Sequence, residues 1–250
     1  MTLPAIDVVE SIGSTNDAVL ALGRRGAPCG TAVASRRQTA GRGRRGHAWE
    51  SPEGNLYLSV LLRPKVAPSR LPGLAAACGL GVLDSLRVLN LCNEPQLKWP
   101  NDVLVRDRKL AGILVEASRD NAGEAFAVCG VGVNVAQAPR GLAATSLAEL
   151  VAPGAAPSFS PLARALRDAV AARVDAWAAM PGAEPLSGIR DDYVSALAWR
   201  GREVVALAPD GRPLVRGRLA DIDPWGRAVL ETADGPASFT SEQASLRPVA

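Results

Sequence analysis

Lysine is scarce in this 250-residue chain: Lys65, Lys98 and Lys109 are all there is, and arginine supplies nearly all the positive charge. Positive and negative charges almost balance, at a net +3, so no general nucleic-acid field is expected. Cysteine is sparse and scattered. Cys29, Cys78, Cys92 and Cys129 show no C-x-x-C spacing, which excludes a disulfide framework or a zinc site and leaves reduced, mostly core thiols. Residues 1–10 lack a basic region followed by an apolar run, and no apolar stretch approaches the roughly 20 residues of a membrane helix. The expectation is a cytoplasmic protein without membrane contact. Internal repeats and low-complexity linkers are missing too. What is present is 48% hydrophobic composition, enough for a substantial core in one large domain, or in a large and a small one.

Against that background one loop stands out, Gly41-Arg42-Gly43-Arg44-Arg45-Gly46, followed by His47 and Trp49. Glycines let the backbone turn its N–H groups toward an anion, and arginines supply charged forks that match phosphate or carboxylate. Arg-Gly runs also occur in flexible nucleic-acid-binding tails. The sequel decides between the two. Asn55 to Leu62 reads as an ordered strand with Leu56, Leu58, Val60 and Leu62 on one face, and disordered tails do not continue in this way. Three arginines without an anion repel one another, so residues 41–49 are expected to stay mobile until a ligand orders them.

A second segment, Leu97-Lys98-Trp99-Pro100-Asn101-Asp102, places a rare lysine at the end of a short strand before a Pro-Asn-Asp turn. A hairpin through Asp107-Arg108 then leads into Lys109-Leu110-Ala111-Gly112-Ile113-Leu114-Val115-Glu116. Lys98 reads as a retained point charge or as a surface lysine on a strand edge.

Elsewhere helices and strands alternate. Ser14 or Thr15 caps a helix that stops at Gly26. Residues 31–36 form a strand, 71–89 a buried helix, and 96–99, 102–106, 111–117 and 124–133 further strands. Ser160-Pro161 reads as the N-cap and first position of a helix carrying Leu162, Leu166, Val170, Val174 and Trp177. The fold class is α+β, helices packed on a mixed or antiparallel sheet. From about Trp199 short strands and tight turns take over, the pattern of a small barrel.

The motifs Ser14-Thr15-Asn16, Gln38 to Gly46, Trp49, Ser51-Pro52, Gly54-Asn55-Leu56, Lys98 to Asp102, Lys109 to Glu116 and Gly130-Val131-Gly132-Val133-Asn134 keep the order and spacing of one family. The chain resembles the biotin protein ligases over roughly residues 5–135. The resemblance implies a class II synthetase-like catalytic domain at 1–198 and an SH3-like C-terminal domain at 199–250. It leaves no room for the N-terminal helix-turn-helix of some members, so no repressor function and no specific DNA binding are expected.

It further implies ATP and biotin as substrates, with Mg²⁺ held mainly by phosphates, and a biotin carboxyl-carrier protein domain as acceptor, the enzyme being monomer or homodimer. Lys98 and Arg42 would be catalytic, Lys98 bridging the biotin carboxylate and the α-phosphate. Ser14, Thr15, Asn16, Gln38, Gly41, Arg42, Gly43, Arg44, Lys98 and Gly112 would bind biotin. Arg44, Arg45, Trp49, Lys98, Asn101 and Asn134 would bind the adenylate, with Asn101, Asp102 and Asn134 as candidate nucleotide or Mg²⁺ contacts.

Several of these residues carry a second reading from the pattern alone. Ser14 and Thr15 also fit as helix caps, Trp49 as core, and Gly112 as a strand bulge. His47 stands where the family often has arginine, a group neutral near pH 7.5 in place of a fixed cation. Two other functions remain open: a lipoate or octanoate ligase or transferase of the same fold, and a non-enzymatic ligand sensor or nucleic-acid binder.

Overall fold

Leu56, Leu58, Val60 and Leu62, expected on one face of a strand, are buried, and so is every other residue of Leu56–Leu62. The structure, a computed structural model describing residues 3–46 and 49–249, shows why. The strand is β3 of a seven-stranded mixed sheet made of β1 (Ile6–Ile12), β2 (Ala32–Gln38), β3, β4 (Gln96–Lys98), β5 (Asp102–Val105), β6 (Arg108–Arg119) and β7 (Ala125–Val133). Their spatial order is β1-β2-β3-β7-β6-β5-β4. β1 and β2 pair in parallel, and each other neighbouring pair is antiparallel. Central position and cover on both faces bury β3 completely.

Among the described residues there are five α-helices, in chain order α1 (Thr15–Arg24), α2 (Leu74–Arg87), α3 (Leu147–Leu150), α4 (Phe159–Ala179) and α5 (Arg190–Ser195). α1 packs Val19 and Leu20 with Val33, Leu61, Phe126 and Val128 on one face of the sheet. Leu56, Leu58, Val60 and Leu62 join α2 and α4 in the main core on the other face. Gly23 lets α1 approach closely, since a Cβ there would lie 2.3 Å from the Phe126 ring.

Two helix starts differ from expectation. α4 begins at Phe159 with Ser158 as N-cap, so Pro161 sits inside the first turn, where no intrahelical N–H bond is lost. α2 begins at Leu74 because Pro68 and Pro72 confine residues 68–73 to a 3₁₀ turn. The half-exposed edge strand β1 was not foreseen at all.

A second, antiparallel sheet holds β8 (Glu203–Leu207), β9 (Pro213–Ile222), β10 (Ala228–Thr232), β11 (Gly235–Phe239) and β12 (Ser245–Pro248), in the order β11-β10-β9-β8-β12. Val204, Leu219, Leu230 and Leu246 share one apolar cluster with Leu97, Trp99 and Trp199. Polar ties reinforce the junction. Trp99 Nε1 donates to Gly226 O at 3.0 Å, and Trp199 Nε1 donates to Asp107 Oδ1 at 2.7 Å. The hairpin foreseen near Asp107 turns through Arg106 and Asp107, both with positive φ, and so places that carboxylate against the second sheet. Of the four cysteines, Cys78 and Cys129 are buried, Cys29 is half-buried and Cys92 exposed, all as free thiols. No helix among the described residues is long and apolar enough to cross a membrane.

Candidate active site

One row of paired residues crosses five strands. Tyr57 of β3 lies opposite Gly132 of β7, Gly132 opposite Gly112 of β6, Gly112 opposite Asp102 of β5, and Asp102 opposite Lys98 of β4. Directly paired residues share a sheet face, so the row lies on the face that α1 partly covers. Its centre is bare backbone. A Cβ on Gly112 would lie 2.6 Å from the Trp49 ring, and one on Gly132 would lie 2.9 Å from it, because the indole rests on this glycine floor. Trp49 Nε1 is buried there without an acceptor. Above the floor opens a cleft of about 640 Å³, bounded by the start of α1, the loop at 42–45, the segment at 139–144 and residues Ser245 and Arg247 of β12.

One end of the row is charged. Asp102, with its side chain only 10% exposed, receives Lys98 Nζ at 2.8 Å and Lys109 Nζ at 2.5 Å, the latter also lying 4.7 Å above the Trp49 ring. Two cations on one anion leave an excess positive charge largely out of water, a prepared seat for an incoming anion. Burial pushes the Lys98 pKa below the ordinary lysine value, with Asp102 acting against that push. Burial alone would raise the Asp102 pKa, but Lys109 and Lys98 together hold it below the usual carboxylate range. Asp102 is therefore ionised near neutrality.

The other end is built from uncharged polar groups. Thr15 donates to Gln38 Oε1 from its backbone N at 2.8 Å and its hydroxyl at 3.0 Å. Gln38 Nε2 donates to Ser51 Oγ at 3.3 Å. Ser59 Oγ donates to Asn16 Oδ1 at 2.5 Å, and a Cβ on Gly130 would lie 2.2 Å from that oxygen. Ser14 caps α1, accepting from Asp17 N at 3.4 Å, and lines the cleft as well. Gly41 packs against Ser51 and the Trp49 carbonyl, where a Cβ would come within 2.6 Å of Ser51 Oγ.

The arginines of the loop all meet protein oxygens. Arg42 pairs with Asp17 at 2.5 Å and Glu116 at 3.2 Å. Arg44 donates to Ser241 O and Glu242 Oε1, and Arg45 to Ser241 O and Glu242 O. Within the chain, Arg42 and Arg44 thus meet carboxylates, whereas Arg45 meets backbone carbonyls only. Gly43, Arg44 and Arg45 line the cleft, as do Asn101 and Asn134. The Asn101 amide donates to Ile113 O, and the Asn134 amide to the carbonyls of Lys109 and Thr145. His47 lies outside the described residues.

The model of the biotin/lipoate A/B protein ligase family matches residues 8–134. Over 233 residues the chain is 40% identical to biotin--[acetyl-CoA-carboxylase] ligase of Mycobacterium tuberculosis, covering 90% of this chain and 83% of that protein. The chain belongs to the biotin/lipoate A/B protein ligase family. The biotin--[acetyl-CoA-carboxylase] ligase of Paracoccus denitrificans, another relative, is 32% identical over 216 residues, 82% of this chain and 84% of that protein. The structure of biotin protein ligase from Aquifex aeolicus in complex with biotin and ATP matches with a TM-score of 0.81 at 27% identity, covering 99% of this chain and all of that one.

For this member of the family, the residues that sequence reasoning left without a role are Lys109, Ser59, Glu116 and Arg247. Lys109 carried a usable signal, because the scarcity that marks Lys98 applies to it equally. Glu116 closes the motif from Lys109 to Glu116 but nothing local marked its partners, and Ser59 and Arg247 carried no signal, since their positions arise from strand register and from a second sheet folding back onto the first.

Proposed function

We propose that this chain activates biotin with ATP to biotinyl-5′-AMP, releasing pyrophosphate, and passes the biotinyl group to a lysine of a biotin carboxyl-carrier domain. The observation that carries this reading is the polarity of the glycine-floored row, with excess positive charge at Lys98, Asp102 and Lys109 and neutral hydrogen-bonding groups at Thr15, Asn16, Gln38 and Ser59. Biotin has the matching ends, an anionic carboxylate and a neutral polar ring. Lipoate and octanoate share the carboxylate, but their apolar ends would leave these buried polar groups unpaired at a cost.

In the first step the carboxylate oxygen attacks the α-phosphorus and the bond to pyrophosphate breaks. In the second, the acceptor amine attacks the carbonyl carbon and AMP leaves. Both steps gather negative charge near the reacting oxygens, where Lys98 and Lys109 approach from opposite sides of Asp102 and stabilise it through fixed electrostatics. Arg42, Arg44 and Arg45 are assigned to the loop over the adenylate, Trp49 to its stacking surface, and Asn101 and Asn134 to its nucleotide end. Among the described residues no group of three His, Cys, Asp or Glu side chains could hold a metal, and both Asp102 oxygens face lysines. Mg²⁺ therefore fits here as an ion carried on ATP phosphates, supplying charge to the leaving pyrophosphate.

Within the same reading, 1–198 is the catalytic domain and 199–250 an SH3-like barrel. The antiparallel sheet β8–β12 supports that assignment. This reading places the protein in the cytoplasm. Incubation with labelled biotin, ATP and a carrier domain tests the function: biotinyl-AMP and a labelled carrier are expected. Label transfer from lipoate but not from biotin would overturn it.

A further inference from the structure

Glu116 stands behind the neutral end of the cleft and does not line it. On β6 it lies opposite Val128, with its side chain 27% exposed, and its Oε2 accepts from Asn16 Nδ2 at 2.6 Å and from Arg42 Nη2 at 3.2 Å. An ionised carboxylate can only accept. The Asn16 amide beside it therefore has a single favourable orientation, NH₂ toward Glu116 and Oδ1 toward the Ser59 hydroxyl. A flipped amide would set its oxygen against the carboxylate. Ser59 in turn donates to Asn16, while the neighbouring Thr15 hydroxyl donates to Gln38 Oε1. Asn16, Thr15 and Gln38 all line the cleft, so the donor and acceptor pattern met by a ligand is anchored by a carboxylate the ligand does not touch.

We propose that Glu116 is a positioning residue that sets the hydrogen-bond polarity of the ring-binding end by fixing the Asn16 amide. The inference rests on the proposed biotin reading and deepens it. A ring with carbonyl and N–H groups in fixed places is held only where each faces its complement, and a buried mismatch discriminates strongly. Lys98 and Lys109, at the far end of the row, should not sense the change.

The test uses the full chain and measures adenylation with biotin and ATP varied separately. Glu116→Gln keeps the shape but offers both a donor and an acceptor, so Asn16 loses its fixed orientation. Expected are a biotin KM raised about tenfold, a kcat within about threefold, and an ATP KM and melting temperature close to wild type. In an Asn16→Ala background the same change should add less than about twofold, since no amide remains to orient. An unchanged biotin KM, or a full effect in the Asn16→Ala background, overturns the proposal. So does an equal rise from Asp17→Asn, which removes the nearer partner of Arg42 and leaves Asn16 alone. If Glu116→Gln melts early, Glu116→Ala carries the same expectation and the same overturning result. A wild-type chain that makes no biotinyl-AMP overturns the biotin reading itself, and this inference with it.

Discussion

The two ends of the cleft follow opposite rules on one sheet face. At β4 and β5 two lysines crowd a covered aspartate, and the balance of charge is positive. At β3 and the start of α1 the groups are hydroxyls and amides joined donor to acceptor. Between them lie Gly112 and Gly132 with the Trp49 indole upon them. The difference teaches that substrate orientation is set by position along the register. A molecule with one anionic and one neutral polar end has a single favourable direction, because reversal would desolvate its charge against neutral groups.

The sharpest way to break this comparison is at the charged end. Lys98→Ala and Lys109→Ala should each slow adenylate formation on the order of 10²–10³-fold, read as pyrophosphate release, with the circular dichroism of the native protein retained. A variant within tenfold of wild type would remove that lysine from the chemistry. Next comes the floor. Gly132→Val puts atoms where the indole lies, and overpacking of about 1–3 kcal/mol translates to a biotin KM roughly 5- to 150-fold higher. Unchanged biotin affinity would show that Trp49 leaves the floor freely and that the glycines are not needed for close approach.

The neutral end should respond more mildly. Asn16→Ala is expected to raise the biotin KM about tenfold with little change in the ATP KM. Equal changes in both constants would contradict the separation of the two ends. The smallest effect is one of pH. Because the Lys98 pKa lies below 10.5, this lysine loses its charge at a lower pH than a free lysine, and adenylation should decline along an alkaline limb below that value. Asp102→Asn removes the carboxylate that favours the charged lysine, so the limb should move further down; a limb that stays in place would detach the pair from activity. The sign for stability is reversed. The depressed Asp102 pKa contributes stability above 3.8 that is lost as pH falls through the folded value.

Local pattern carried most of the part built on the seven-stranded sheet. The alternation of Leu56 to Leu62, the Ser14 cap and the glycine stop after Arg25 are signals within a few residues of each other, and the structure places strands and helices there. Pattern failed where a strand owes its existence to a distant partner. β1 is an exposed edge that alternates poorly, and β12, at Ser245–Pro248, is held by β8 about forty residues earlier. The site divides in the same way. Lys98, Gly112 and Asn16 were legible from motifs, whereas the pairing of Lys98 with Lys109 through Asp102 depends on a register shift between Val103 and Leu104. No local window contains that information.

The contacts of Arg44 and Arg45 with the turn at 241–242 have a consequence in time. These partners are separated by 196 to 198 positions in the chain. During synthesis at roughly 5–20 residues per second, the strands and α1 around the loop can assemble while its two anchors are still unmade. For some ten seconds or more the nascent protein has a floor and walls but no fastening for its arginine loop, which is completed only when the turn at 241–242 emerges.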